Sequence, residues 1–110
     1  MKNNNFNNFI VESQLCVREA MKRLDDSHRK ILFVINEDDK LFGALTDGDI
    51  RRWILKGNSL DDPVKIVCNT KPIISNEEYD IEEIKKEMLN NRIQAIPVLD
   101  SGSKIVNILF

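Results

Sequence analysis

The stretch Gly43-Ala44-Leu45-Thr46-Asp47-Gly48-Asp49 gathers the residue types that can hold a small polar ligand. Thr46 carries a hydroxyl that both donates and accepts. Placed where a strand hands over to a helix, it points the same way as the free N–H groups of the first helical turn, an arrangement suited to a phosphate oxygen. Asp49 presents an acceptor-only carboxylate, which suits the paired hydroxyls of a ribose. Gly43, inside a strand, fits either a backbone closely approached by a ligand plane or a bulge or tight strand contact. Each residue also has a plain structural use. Thr46 would serve as an ordinary helix cap worth ~1 kcal/mol. An acid near a helix start contributes only ~0.3 to 1 kcal/mol through the macrodipole, so Asp49→Ala is expected to leave the unliganded melting point nearly unchanged. Two acids, Asp47 and Asp49, beside a phosphate require a basic neighbour, for which Arg51, Arg52 and Lys30 are the candidates.

Other chemistry finds little support. Asp47 and Asp49 have the look of a paired-carboxylate or metal site, and Ser27 stands beside His28, but chain neighbours seldom point toward each other, and there is no nucleophile elbow or phosphate-binding Walker loop. Cys16 and Cys68 lie far apart with His28 as their sole imidazole partner, short of a structural zinc site. No catalytic residue and no metal ligand is expected. With 110 residues, 31% of them charged, and a net charge of −2, the chain has room for one compact domain and no field to attract nucleic acid. No stretch has the basic start and apolar run of a secretory signal, and none reaches the length of a membrane span. Free thiols and no leader predict a cytoplasmic protein.

The elements that would position these residues occur twice. At an offset of 64 residues the halves align without a gap: Phe9-Ile10 on Ile73-Ile74; Val17, Ala20 and Leu24 on Ile81, Ile84 and Met88; Val34-Ile35-Asn36 on Val98-Leu99-Asp100. Each copy reads as a short extended piece, a helix with apolar residues at three and four, and two strands around a turn, over residues 31–36 and 40–46 and again over 93–99 and 104–110. In the first copy a second helix follows, capped by Thr46 or Asp47 and ending at Gly57. The expected organisation is a disordered start (1–8), a first repeat (9–57), a connector (58–71) and a second repeat (72–110) that stops before its own second helix. The fold class is α/β (α+β): two pseudo-symmetric halves, each a small sheet with packed helices, with a ligand cleft between them.

This order, with Gly43, Thr46 and Asp49 at the spacing Gly, apolar, any, Thr, two residues, Asp, resembles a tandem pair of CBS domains, the cystathionine-β-synthase type of regulatory repeat. The second copy has Asn107 and Phe110 at the Gly and Thr positions and reaches no Asp. The resemblance implies an adenosine nucleotide (AMP, ADP or ATP) as a regulatory ligand, with Asp49 on the ribose. Apolar residues among Ile10, Val11, Ile31 and Phe33 would lie around the base. The resemblance does not choose among the three basic candidates, of which Arg52 is taken as the one that reaches the phosphate. It also implies a homodimer. The apolar strand Ile105 to Phe110, with no final helix over it, points to a partner as well, and Trp53, at helical spacing with Ile50, reads as interface packing. Thr46-Asp47-Gly48-Asp49-Ile50-Arg51-Arg52 is similar to CBS pairs of sugar-phosphate enzymes. With Leu60-Asp61-Asp62-Pro63-Val64 it favours the sugar-1-phosphate nucleotidyltransferases, whose catalytic domain would follow in the same polypeptide. The alternatives are the CBS pair of an arabinose-5-phosphate isomerase and a ligand-free dimerisation or interaction module.

Overall fold

The structure, a computed structural model, describes residues 5–110. The chain divides into two compact units, the first ending at Pro72 and the second running Ile73–Phe110. Each holds a three-stranded sheet whose first strand is parallel to the second and whose second is antiparallel to the third. Two small mixed sheets with packed helices are the fold class that the offset predicts.

In the first unit a 3-10 turn over Asn5–Phe9 leads into β1 (Ile10–Glu12), so residues 5–8 of the expected disordered start are folded; residues 1–4 lie outside the described residues. Then come α1 (Val17–Ser27), β2 (Ile31–Ile35), β3 (Leu41–Thr46) and α2 (Asp47–Leu55). Side chains alternate across a strand, and the alternation divides this sheet cleanly. Val11, Leu32, Val34 and Leu45 face the helices, where they form the core with Val17, Ala20, Leu24, Ile50 and Val64. Ile31, Phe33 and Ala44 are buried on the opposite face. Trp53, expected at an interface, packs partly on this same core and donates its indole N–H to the Ser59 carbonyl at 2.8 Å. Helix α2 stops where Gly57, at φ +79°, turns its N–H back to the Ile54 carbonyl, a conformation that favours glycine.

The connector is part of this unit's structure. Cys16 provides no side-chain cap for α1, and the first N–H groups of the helix are satisfied from the connector instead: Val17 donates to the Asp62 carbonyl at 2.9 Å and Arg18 to that of Leu60 at 3.0 Å. Farther on, Asn69 and Ala44 exchange both backbone bonds, at 2.8 and 2.9 Å, laying residue 69 along β3.

The second unit comprises β4 (Ser75–Asn76), α3 (Ile81–Asn91), β5 (Ile96–Leu99) and β6 (Ile105–Leu109), one α-helix where the described part of the first unit has two. It repeats the first at the predicted offset down to irregular features. The pairs Val11↔Val34 and Glu12↔Ile35 recur as Ser75↔Val98 and Asn76↔Leu99. Both hairpins carry a register shift at one place, between Val34 and Ile35 and between Val98 and Leu99, leaving Phe42 and Val106 as extra residues. Both helices end in a left-handed residue, His28 and Arg92, and both hairpin turns contain one, Asp39 and Ser103. Strand β5 starts at Ile96, not at Ile93, because Ile93 is drawn back to the Met88 carbonyl at 3.1 Å in closing the helix.

Candidate functional site

Thr46 is the last residue of β3 and the N-cap of α2. Its extended backbone (φ −115°, ψ 165°) lets the hydroxyl oxygen accept from the Asp49 N–H at 3.2 Å while the Asp49 carboxylate accepts from the Thr46 N–H at 2.9 Å. This reciprocal box satisfies two backbone donors that a helix start leaves open. It occupies only the acceptor side of the Thr46 hydroxyl, so the O–H remains able to donate to a ligand. The other oxygen of Asp49 takes a bond from the Arg52 guanidinium at 2.9 Å. Of the three basic candidates, Arg52 is the one that pairs with an acid of this turn. Its guanidinium folds over Gly48, with Nη1 3.3 Å from the point a Cβ there would occupy, and that of Arg51 lies close by at 3.7 Å. Lys30 contributes its carbonyl, which accepts from the Asp47 N–H at 3.4 Å.

Asp49 is accordingly no loose surface acid. Its side chain is only 16% exposed and holds both a backbone donor and a guanidinium. The expectation that Asp49→Ala is nearly neutral for stability gives way: losing the box and the ion pair costs about 1–2 kcal/mol.

Cross-strand partners share a sheet face, and the register places Ile31 opposite Thr46, Phe33 opposite Ala44 and Ile10 beside Phe33. Ile10, Ile31 and Phe33 thus share one face with Thr46. Phe33 and Ile31 are buried there, and Ile10 is half-exposed. Val11 points the other way, into the helical core. Gly43 also belongs to the helix-facing side, opposite Val34. A Cβ on it would stand 2.5 Å from the Asn69 carbonyl oxygen and 2.8 Å from the Cys68 sulfur. The tight strand contact, left open by the sequence, is what this glycine serves.

Cys68 is the residue near the site that sequence reasoning passed over. Burial pushes its thiol up from 9.0 to about 11; a backbone hydrogen bond works against the rise, and the negative charge of Asp49 adds to it. No spacing in the sequence signals that a connector cysteine comes within the field of Asp49. In the second unit the corresponding place holds Asn107, whose side-chain oxygen accepts from the Ile108 N–H at 2.9 Å, and an exposed Phe110. Among the described residues no cluster of His, Cys, Asp or Glu could hold a metal ion, and no helix is long and apolar enough to cross a membrane.

The CBS domain profile matches residues 2–56 and 64–109, two copies that together span nearly the whole chain. The chain belongs to the CBS domain family. As a CBS pair it is 29% identical over 89 residues to the arabinose 5-phosphate isomerase GutQ of Salmonella typhi, covering 81% of this chain and 28% of that protein. It spans less than a third of the length of the curated relatives it matches. A CBS domain protein from Pyrobaculum aerophilum, solved in complex with AMP, superposes with a TM-score of 0.81 at 17% identity, over 99% of this chain and 82% of that one. The CBS domain pair of protein MJ0100, solved with 5′-methylthioadenosine and S-adenosyl-L-methionine, gives a TM-score of 0.77 at 22% identity, over 92% and 82% of the two chains. At these identities the likeness establishes the fold alone.

Proposed function

We propose that this CBS pair senses an adenosine nucleotide, AMP, ADP or ATP, through Thr46 and Asp49 of its first repeat. The carrying observation is the Thr46–Asp49 box at the mouth of α2, which fixes a hydroxyl donor and a carboxylate in one rigid turn on the sheet face that also bears Ile10, Ile31 and Phe33. The hydroxyl and the helix N-terminus suit a phosphate; the carboxylate suits a ribose diol; the apolar face suits a base. The adenosine ligands named for the Pyrobaculum aerophilum protein and for MJ0100 support the same class. The second repeat, with Asn107 and Phe110 at the motif positions, lacks the hydroxyl and binds weakly or not at all.

A ligand that binds only the folded state stabilises it by about 2.7 kcal/mol at a hundredfold excess over Kd. Thermal melts with AMP, ADP, ATP and S-adenosylmethionine therefore test the reading, each variant being compared with its own unliganded baseline. At least one nucleotide should raise the melting point of the wild type, and Asp49→Ala and Thr46→Val should lose the rise. If no ligand moves the wild type, or the rise survives in both variants, the module is one of interaction rather than sensing.

The host in this reading is a cytoplasmic sugar-phosphate enzyme whose catalytic domain lies in the same polypeptide. Residues 60–64 favour a sugar-1-phosphate nucleotidyltransferase, and the similarity to GutQ favours an arabinose-5-phosphate isomerase. The module pairs with a second copy, a role for which the exposed Leu55, Leu89 and Phe110 provide apolar surface.

A further inference from the structure

The carboxylate that the nucleotide reading assigns to ribose is already engaged. Asp49 gives one oxygen to the Thr46 N–H and the other to Arg52, each at 2.9 Å. A vicinal diol donating to both oxygens would meet the guanidinium at the second of them. Arg52 is held lightly, since its side chain is 61% exposed and its partner is one helical turn away on the same helix. Exposed pairs of this kind are weak and are screened by salt. The guanidinium also rests over Gly48, in the first turn of α2, with Nη1 3.3 Å from where a Cβ would stand.

We propose that Arg52 is an exchange residue that makes the site selective for phosphorylated adenosine; the proposal rests on the nucleotide reading of Thr46 and Asp49. Without ligand, Arg52 neutralises Asp49. When a nucleotide enters, the ribose hydroxyls take the Asp49 oxygen and the guanidinium turns to the phosphate, replacing a carboxylate by a dianion that accepts two parallel N–H bonds. An unphosphorylated nucleoside must break the same ion pair and offers Arg52 nothing in return. Arg52 thus opposes adenosine and favours AMP, and its two effects have opposite signs.

Titration calorimetry of the whole chain with AMP and with adenosine, on the wild type and on Arg52→Gln, reads those signs directly. The expected result is AMP weakened about tenfold and adenosine tightened about two- to threefold, the sizes of one charge-assisted bond lost and one exposed ion pair removed. Raising the salt concentration on the wild type gives the same crossing without a mutation, loosening AMP while tightening adenosine. If AMP binds the wild type but adenosine affinity is unchanged or falls in Arg52→Gln, the exchange is overturned and the nucleotide reading stands. If AMP does not bind the wild type at all, both are overturned.

Discussion

In the first unit the backbone of Asn69 lies along β3 in the space where a Gly43 side chain would be; in the second unit the same sheet position belongs to Asn107, a full side chain. The comparison extends outward from these two residues. Val17 is fully buried at the start of α1, beneath the connector, whereas Ile81, its counterpart on α3, is 47% exposed. α1 begins on carbonyls of Leu60 and Asp62 and has no capping side chain; α3 begins on the Asp80 carboxylate, which accepts from the Glu82 N–H at 2.9 Å. Two sheets with the same order and the same irregularity in register are therefore completed differently, one by a connecting segment and one by its own side chains. A repeat fixes the backbone of a unit, and in the first copy the segment that follows helps decide which positions become core.

The largest effect that can break this comparison is at the glycine. Gly43→Ala places a methyl carbon against the Asn69 carbonyl oxygen and the Cys68 sulfur, and the backbone atom cannot rotate aside. The variant must give up the Ala44–Asn69 bridge or strain β3, at a cost of about 3 kcal/mol. Asn107→Ala removes only a local bond to Ile108 and should cost less than about 1 kcal/mol. Urea unfolding of the two variants compares them on one scale. Equal losses would mean that the connector does not stabilise the first unit in the way the contacts indicate.

The offset of 64 residues was legible because apolar periodicity survives divergence; the buried Val17, Ala20 and Leu24 of α1 and the buried Ile84 of α3 sit where that periodicity put them. The motif Gly43, Thr46, Asp49 was legible as a strand-to-helix junction, and the capping box sits on it. What pattern could not supply was the third dimension. Strand alternation assigns Gly43 and Thr46 to opposite faces once β3 is known to run from Leu41 to Thr46, but not which face the connector covers. Arg52 stood among the basic candidates in the sequence, yet that its guanidinium takes an oxygen of Asp49 depends on side-chain rotamers. Ile81 was placed on the apolar stripe of its helix and is 47% exposed.

The two caps provide the next effect in size. Asp49→Ala removes a box bond and the Arg52 pair, and Asp80→Ala removes a single capping bond. Losses of about 1–2 kcal/mol and about 1 kcal/mol are expected, in that order. Asp49→Asn sharpens the contrast, since an amide keeps an oxygen for the Thr46 N–H but cannot hold Arg52 as an ion. It should recover much of the loss in stability while leaving the proposed ribose contact impaired. If Asp49→Asn proves as unstable as Asp49→Ala, the ion pair rather than the box dominates this turn.

The smallest effect concerns alkali, and it should arise from the first unit, because both cysteines lie there. The Cys68 thiol is raised from 9.0 to about 11, chiefly by burial, so between those values the unfolded chain has released its proton while the folded chain retains it. Stability rises with pH only where the unfolded state binds more protons; here it binds fewer, so this group's contribution is fully present below pH 9 and is lost as pH climbs toward 11. A rise of that size, undiminished, would amount to about 2.7 kcal/mol, but the residue is only half-buried and solvent screens the effect, leaving about 1 kcal/mol. The variant keeps every other ionisable group, so the informative quantity is the difference between the wild type and Cys68→Ala. Unfolding free energies measured from pH 8 to pH 11 should converge as the wild type loses its advantage. Parallel curves would show that Cys68 ionises as freely in the folded chain as in the unfolded one, and that the contact of the connector with Gly43 is open to water.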